Sequence, residues 1–125
     1  MTQTVMVVDD SASVRMQASR ALTSAGYDVI EAVDGLDALE KLAGGATVAL
    51  VVCDINMPRM SGVELVESLA QQSTPQPPIL MLTTEGHPAL IQRAKASGAK
   101  GWMMKPFKPE LLVAAARKLT AASPQ

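Results

Sequence analysis

The sequence predicts an α/β fold in which five short parallel strands alternate with five helices in a three-layer sandwich. Apolar runs of strand length recur along the chain, and the segments between them carry apolar residues at helical spacing. Alternation of this kind is typical of βα units around a parallel sheet. Five units are too few to close an eight-stranded barrel, so we expect an open sheet with helices on both faces.

Five segments have the composition of β-strands. The longest unbroken apolar run, residues 48–53, predicts a strand in the middle of the sheet. It contains the single cysteine, Cys53, which is expected to be a buried thiol. The segment at residues 28–32 is short and flanked by polar residues, which suits a strand at the edge of the sheet better than one at its centre. In chain order the predicted strands are residues 5–8, 28–32, 48–53, 79–82 and 100–104.

Capping and turn residues mark the five helices. Ser61 and Glu64 match a capping box, in which each side chain accepts a hydrogen bond from the other residue's backbone N–H. Proline stands in the first turn of the last two helices, at Pro88 and Pro109. The first three helices are predicted to follow Ser11, Asp34 and Ser61, and glycines are placed to end the first, second and fourth, at Gly26, Gly44 and Gly98.

Length and composition predict one domain, residues 1–125, with a disordered tail from 120 to 125. A chain of 125 residues, 48% of them hydrophobic, can fill one core. Its 11 basic and 12 acidic residues give a net charge of −1 without a basic block, which argues against nucleic-acid binding. Because no secretory signal and no apolar stretch of roughly 18 residues is present, we expect a cytoplasmic chain without membrane insertion.

Polar side chains directly follow four of the predicted strands. Asp9 and Asp10 follow the first strand, Asp54 the third, Thr83 the fourth and Lys105 the fifth. The carboxyl ends of parallel strands meet at one edge of a sheet, where open α/β sheets bind ligands, so these groups are expected to lie together. One such aspartate alone would more often be a helix cap, but three at strand ends favour a binding site.

Three converging carboxylates would repel one another at neutral pH unless a cation joined them. Mg²⁺ prefers hard oxygen ligands, and we expect Asp10 and Asp54 to bind it directly and Asp9 to act through water. Lys105 and Thr83 could hold the oxygens of a phosphoryl group whose charge Mg²⁺ neutralises. Asp54 would then be the nucleophile that forms an acyl phosphate, because it ends the central strand.

Five blocks of sequence carry a resemblance to a known family: Val7–Ser11, Asp54–Gly62, Leu82–Thr84, Gly98–Ala99 and Lys105–Phe107. In this order and at these intervals they resemble the receiver domains of two-component response regulators, most closely CheY-like stand-alone receivers of the chemotaxis type. The resemblance covers nearly the whole chain. It implies a flavodoxin-like sheet with strand order 2-1-3-4-5 and a cis peptide bond before Pro106.

The resemblance also implies roles for the residues at the sheet edge. Asp54 is the expected phosphoacceptor. Asp9 and Asp10 would hold Mg²⁺ together with Asp54 and the backbone carbonyl of Asn56. Lys105 would bind the oxygens of the phosphoryl group.

Two further residues are expected to form the switch. By the same resemblance, Thr83 moves to hydrogen-bond the phosphoryl group, and an aromatic residue then turns inward behind it. That aromatic is Trp102 here, where the usual residue is Tyr or Phe. The movement would remodel the face formed by the fourth helix, fifth strand and fifth helix, which is the expected docking surface for a downstream target protein.

The expected function is therefore a phosphorylation-controlled signalling switch, not an enzyme with an external substrate. A sensor histidine kinase would donate the phosphoryl group to a monomeric, diffusible chain, in a pathway expected to be chemotaxis or motility. Alternatives are a phosphorelay intermediate and the receiver part of a longer regulator whose linker begins near Ser123. A Mg²⁺-dependent aspartyl-nucleophile phosphatase is less favoured, because such enzymes commonly need a second Asp where Asn56 stands and a cap over the substrate.

Overall fold

The computed structural model describes residues 3–45, 47–55, 57, 60–72, 76–83 and 88–121. Strands and helices alternate along these ranges: β1 Thr4–Val8, α1 Ala12–Ser24, β2 Asp28–Ala32, α2 Gly35–Ala43, β3 Leu50–Asp54, α3 Gly62–Ala70, β4 Ile79–Thr83, α4 Pro88–Ala96, β5 Gly101–Met104 and α5 Pro109–Ala121. The strands form one parallel sheet in the order β2-β1-β3-β4-β5. The predicted α/β fold and its strand order are confirmed.

The central strand is displaced from its prediction by up to two residues. The apolar run suggested residues 48–53, whereas β3 spans Leu50–Asp54 and all of its residues are buried. Apolar character reports burial, while the strand is defined by its hydrogen bonds to β1 and β4, which begin at Leu50 and Val51. As a result, Asp54 is the last residue of β3. It pairs with Leu82 of β4, and this pairing fixes the Asp54 backbone.

Two apolar cores lie on the two faces of the sheet, because side chains alternate along each strand. One core packs alternate strand residues against α2, α3 and α4. Its strand members are Met6, Val8, Ala32, Val51, Cys53, Ile79 and Met81. The other core packs the intervening residues against α1 and α5, with strand members Val5, Val7, Leu50, Val52, Leu80 and Leu82. The polar edge of the sheet is thus held between two packed helical layers.

Side-chain caps begin the first three helices as the sequence predicts. The Ser11 hydroxyl accepts from Val14 N at 3.3 Å, and Asp34 accepts from Asp37 N at 2.9 Å. At α3 both hydrogen bonds of the predicted capping box are present. Within the described ranges, no helix is both long enough and apolar enough to cross a membrane.

The end of α5 differs from the expectation of a disordered tail from residue 120. The helix continues to Ala121, and Thr120 is buried. The Thr120 hydroxyl donates to the carbonyl oxygen of Ala116 at 2.8 Å and lies 3.0 Å from the Tyr27 hydroxyl. These buried hydrogen bonds keep the last turn helical. Residues 122–125 lie outside the described ranges.

Candidate functional site

The carboxyl edge of the sheet brings three predicted carboxylates together. Asp9 and Asp10 follow β1, and Asp54 ends β3, so pairing of these two neighbouring strands puts them side by side. Carboxylate oxygens of the three residues lie within 4.8 Å of one another. Asp9 is fully buried and Asp54 nearly so, whereas Asp10 is exposed. The cluster therefore has a buried floor and one side open to solvent.

Lys105 joins the two buried carboxylates. Its ammonium Nζ lies 2.7 Å from Asp9 Oδ2 and 3.1 Å from Asp54 Oδ1. Burial by itself would lower the pKa of Lys105, but the hydrogen bond to Asp9 and the charges of both carboxylates outweigh it and raise that pKa. The lysine thus remains an ammonium. Its peptide bond to Pro106 is cis, as expected.

The loop after β1 is held by a residue that sequence reasoning missed. Arg15 donates to the backbone carbonyl of Asp9 at 2.7 Å and pairs with Glu31 at 3.1 Å. Asp9 also accepts from Ser11 N at 2.9 Å through its own carboxylate. Arg15 acts through a backbone carbonyl, which leaves no mark in the sequence.

Glycine at position 62 lets the chain after Asp54 return close to it. A Cβ on Gly62 would lie 2.1 Å from the Asp54 carbonyl oxygen, and Gly62 N donates to the carbonyl of Ile55 at 2.9 Å. Further along, Gly35 N donates to the carbonyl of Met60 at 3.3 Å, which attaches this loop to the start of α2. Asn56, the expected source of a backbone carbonyl ligand, lies outside the described residues.

The two expected switch residues lie on neighbouring strands at different depths. Thr83 is the last residue of β4, is buried, and is paired in register with Met104. Trp102 is opposite Met81 on β5 and is 45% exposed. Its neighbour Met103 packs into the core against α5, so Trp102 and Met104 lie on the other face, beside α4. In this structure the indole ring is at the surface.

The charge of the site fits a hard dication. Three carboxylates against one ammonium leave an excess of negative charge, and the metal-binding groups that cluster here among the described residues are carboxylate oxygens. Cys53, the nearest soft ligand in sequence, is buried, and burial together with the charge of Asp54 raises the pKa of its thiol. A thiol kept protonated is a poor metal ligand, so the oxygen set is suited to Mg²⁺.

Known proteins resemble this chain over most of its length. The family profile of the response regulator receiver domain matches residues 5–117. Chemotaxis protein CheY1 of Helicobacter pylori is 39% identical over 110 residues, covering 86% of this chain and 89% of that protein. Chemotaxis protein CheY of Thermotoga maritima is 34% identical, covering 96% and 99%. The crystal structure of Vibrio cholerae chemotaxis protein CheY4 has a TM-score of 0.87 and 44% identity, covering 95% of this chain and 99% of that one. This chain belongs to the response regulator receiver domain family.

Proposed function

We propose that this chain is a signalling switch that accepts a phosphoryl group on Asp54 from the phosphohistidine of a sensor histidine kinase. The observation that carries the proposal is the position of Lys105, whose ammonium bridges Asp9 and Asp54 at the carboxyl edge of the sheet. An aspartate facing a fixed ammonium, with two further carboxylates beside it, has the groups that phosphoryl transfer requires.

In the proposed reaction a carboxylate oxygen of Asp54 attacks the phosphorus atom of the donor. A P–O bond forms, the P–N bond to the donor histidine breaks, and its electron pair stays with the imidazole nitrogen. Lys105 binds the oxygens of the incoming phosphoryl group. Asp9, Asp10, Asp54 and the carbonyl of Asn56 would hold Mg²⁺, and the ion would supply positive charge to neutralise those oxygens.

The proposed output is a changed affinity for a downstream target protein. After phosphorylation Thr83 would approach the phosphoryl group and Trp102 would turn inward, which alters the face formed by α4, β5 and α5. That face carries three of the large exposed hydrophobic side chains, on Trp102, Met104 and Leu111. Trp102 and Met104 lie on the same face of β5, and exposed apolar side chains that lie together favour a protein partner.

The relatives support a role in chemotaxis, since the similar proteins named above are chemotaxis proteins. We propose that this chain acts in the cytoplasm as a monomeric messenger between a kinase and its target. Nucleic acid is not a proposed partner, because the chain has a net charge of −1 and no basic block. Its only proposed chemistry is its own phosphorylation and dephosphorylation, so it is a switch and not an enzyme for an external substrate.

Intact mass measurement tests the phosphoacceptor. With Mg²⁺ and a small-molecule phosphodonor such as acetyl phosphate, the protein should gain one phosphoryl group that is stable in acid and labile in base, as an acyl phosphate is. Asp54→Asn should lose this gain. Asp28→Asn, at an exposed position on β2, should retain it and controls for the removal of a carboxylate. Undiminished labelling of Asp54→Asn would overturn the assignment.

A further inference from the structure

One face of the Trp102 indole carries a positive charge from α4. The ammonium Nζ of Lys95 lies 5.2 Å from the centroid of the ring. This distance is within the range of about 6 Å over which a cation is attracted to the π-face of an aromatic ring, and tryptophan has the strongest attraction. Trp102 is 45% exposed, so the contact is made at the surface. The outward ring position thus has a specific partner.

The last turn of α4 contacts α3 on one side and β5 on the other. Arg93 makes two hydrogen bonds to Glu67 of α3, at 2.8 Å and 3.1 Å. Lys95, two residues later in the same turn, extends toward β5 and the Trp102 ring. Ala94, between these two residues, is buried in the core that also contains α3 residues, so Lys95 extends toward the ring from a packed turn of the helix.

Inward movement of the ring would break this contact. Lys95 is near the end of α4 that leads into β5, whereas Thr83 is at the opposite, carboxyl end of β4. Thr83 pairs with Met104, and Trp102 is two residues before Met104 on the same face of β5, a separation of about 6.6 Å. A ring that turns toward Thr83 therefore moves away from Lys95.

We infer that Lys95 is a positioning residue that holds Trp102 in its outward orientation in the unphosphorylated protein. The consequence for signalling depends on the function proposed above, because an outward ring corresponds to the resting switch. A surface cation–π contact has a strength that shifts the ratio of outward to inward rings by about two- to fivefold. Loss of the Lys95 charge should therefore enlarge the inward population without any change at Asp54.

The test uses the full chain without Mg²⁺ or phosphodonor and compares Lys95→Gln with the wild type. Acrylamide, a neutral quencher, reports the accessibility of Trp102, the single tryptophan of the chain. Quenching of Lys95→Gln should fall as the ring turns inward, and the indole N–H resonance should move in the NMR spectrum. Lys95→Arg should restore both values, because a guanidinium also binds to an aromatic face. Lys118→Gln, an exposed lysine in the last turn of α5, controls for the charge change.

Several outcomes would overturn the inference. Quenching that is unchanged or stronger in Lys95→Gln would show that the ammonium does not hold the ring outward. An equal response in Lys118→Gln would assign the effect to general charge, and failure of Lys95→Arg to restore the wild-type values would exclude the cation–π contact. Because no phosphodonor is present, these results are separate from a failure of the proposed function, which would appear as a wild type that gains no phosphoryl mass.

Discussion

At the scale of single residues, Asp9 and Asp10 differ in their exposure and in their hydrogen bonds. Asp9 is buried and accepts hydrogen bonds from the Lys105 ammonium and from Ser11 N. Asp10 is exposed and follows it directly in the chain. An exposed carboxylate can bind a cation without losing a buried partner, whereas the Asp9 oxygens already have donors. This difference supports direct coordination by Asp10 and an indirect role for Asp9.

We therefore predict that Asp10→Asn weakens Mg²⁺ binding more than Asp9→Asn does. If Asp10 binds the ion directly, its substitution removes a charged oxygen ligand. If Asp9 acts through water, its substitution removes only a more distant interaction with the ion. A calorimetric Mg²⁺ titration of both variants and of the wild type measures the difference, with Asp28→Asn as the control outside the cluster. Equal losses for the two variants would argue against this division.

Gly62 is required by the shape of the chain around Asp54. We predict that Gly62→Ala destabilises the protein by about 1–3 kcal/mol, the usual cost of forcing an extra methyl group into a packed site. The new Cβ would lie 2.1 Å from the Asp54 carbonyl oxygen, a backbone atom that cannot move without displacing the proposed phosphoacceptor. Urea unfolding measures the free energy, and the labelling rate with acetyl phosphate should fall as well.

Gly101→Ala is the matched control for this substitution. Its Cβ would meet Leu80 Cδ1 at 3.3 Å, and a flexible side-chain end can move by the few tenths of an ångström needed. This variant should retain the labelling rate. If Gly62→Ala were as stable and as readily labelled as Gly101→Ala, the close approach of the chain to the Asp54 carbonyl would not be the reason for a glycine at position 62.

At the scale of elements, the capping box of α3 links stability to pH. Glu64 accepts from Ser61 N at 3.0 Å, and Ser61 Oγ accepts from Glu64 N at 3.2 Å. The backbone hydrogen bond from Ser61 is the main cause that holds the pKa of Glu64 below its ordinary value. A carboxyl with a lowered pKa stabilises the folded state above its unfolded pKa, and this contribution is lost as pH falls through the folded pKa.

We accordingly predict that Glu64→Ala is less stable than the wild type at neutral pH and that the difference shrinks as the solution is made acidic. Thermal unfolding between neutral pH and pH values below the range of free carboxyl groups measures this change. Glu110→Ala, in the first turn of α5, separates the effect of an acidic residue near a helix start from that of the capping box. A difference that stays constant with pH would contradict the charged role of Glu64.

The helix starts could be predicted because capping is local. Ser11, Asp34 and Ser61 each bond to a backbone N–H three residues ahead, so the interacting groups are visible in one short stretch of sequence. The carboxylates of the site could also be predicted, since strands in a parallel sheet end at one edge. The strand order required the family resemblance, because strand pairing is not local.

The role of Arg15 could not be predicted, because it acts on a backbone carbonyl. Any residue at position 9 offers the same acceptor, so the contact does not constrain the sequence there. The contact of Lys95 with Trp102 could not be predicted from the sequence for a different reason. It depends on how α4 packs beside β5, which only the three-dimensional structure reveals.

At the scale of the whole molecule, β4 and β5 connect the acidic site to the surface beside α4. Thr83 lies at the site end of β4, and Met104, its partner in register, is exposed on the face that also carries Trp102. Backbone hydrogen bonding between the strands continues past this pair, since Lys105 N donates to the carbonyl of Thr83 at 2.6 Å. A displacement of Thr83 thus acts on the segment that carries both the proposed phosphoryl-binding lysine and the proposed switch aromatic.

The last prediction concerns this connection and uses Thr83→Ala. The variant should still be phosphorylated at Asp54, because the hydroxyl is proposed to transmit the signal and not to perform the chemistry. The Trp102 fluorescence change on phosphorylation should be blunted, as should the gain in partner affinity. In two-site coupling of this kind, such gains typically correspond to about 1–3 kcal/mol, or roughly 5–150-fold. Thr83→Ser keeps a hydroxyl at the same position and should preserve both responses. A Thr83→Ala protein with normal labelling, the full Trp102 change and the full partner gain would exclude Thr83 as the transmitting residue while leaving the phosphoacceptor assignment intact.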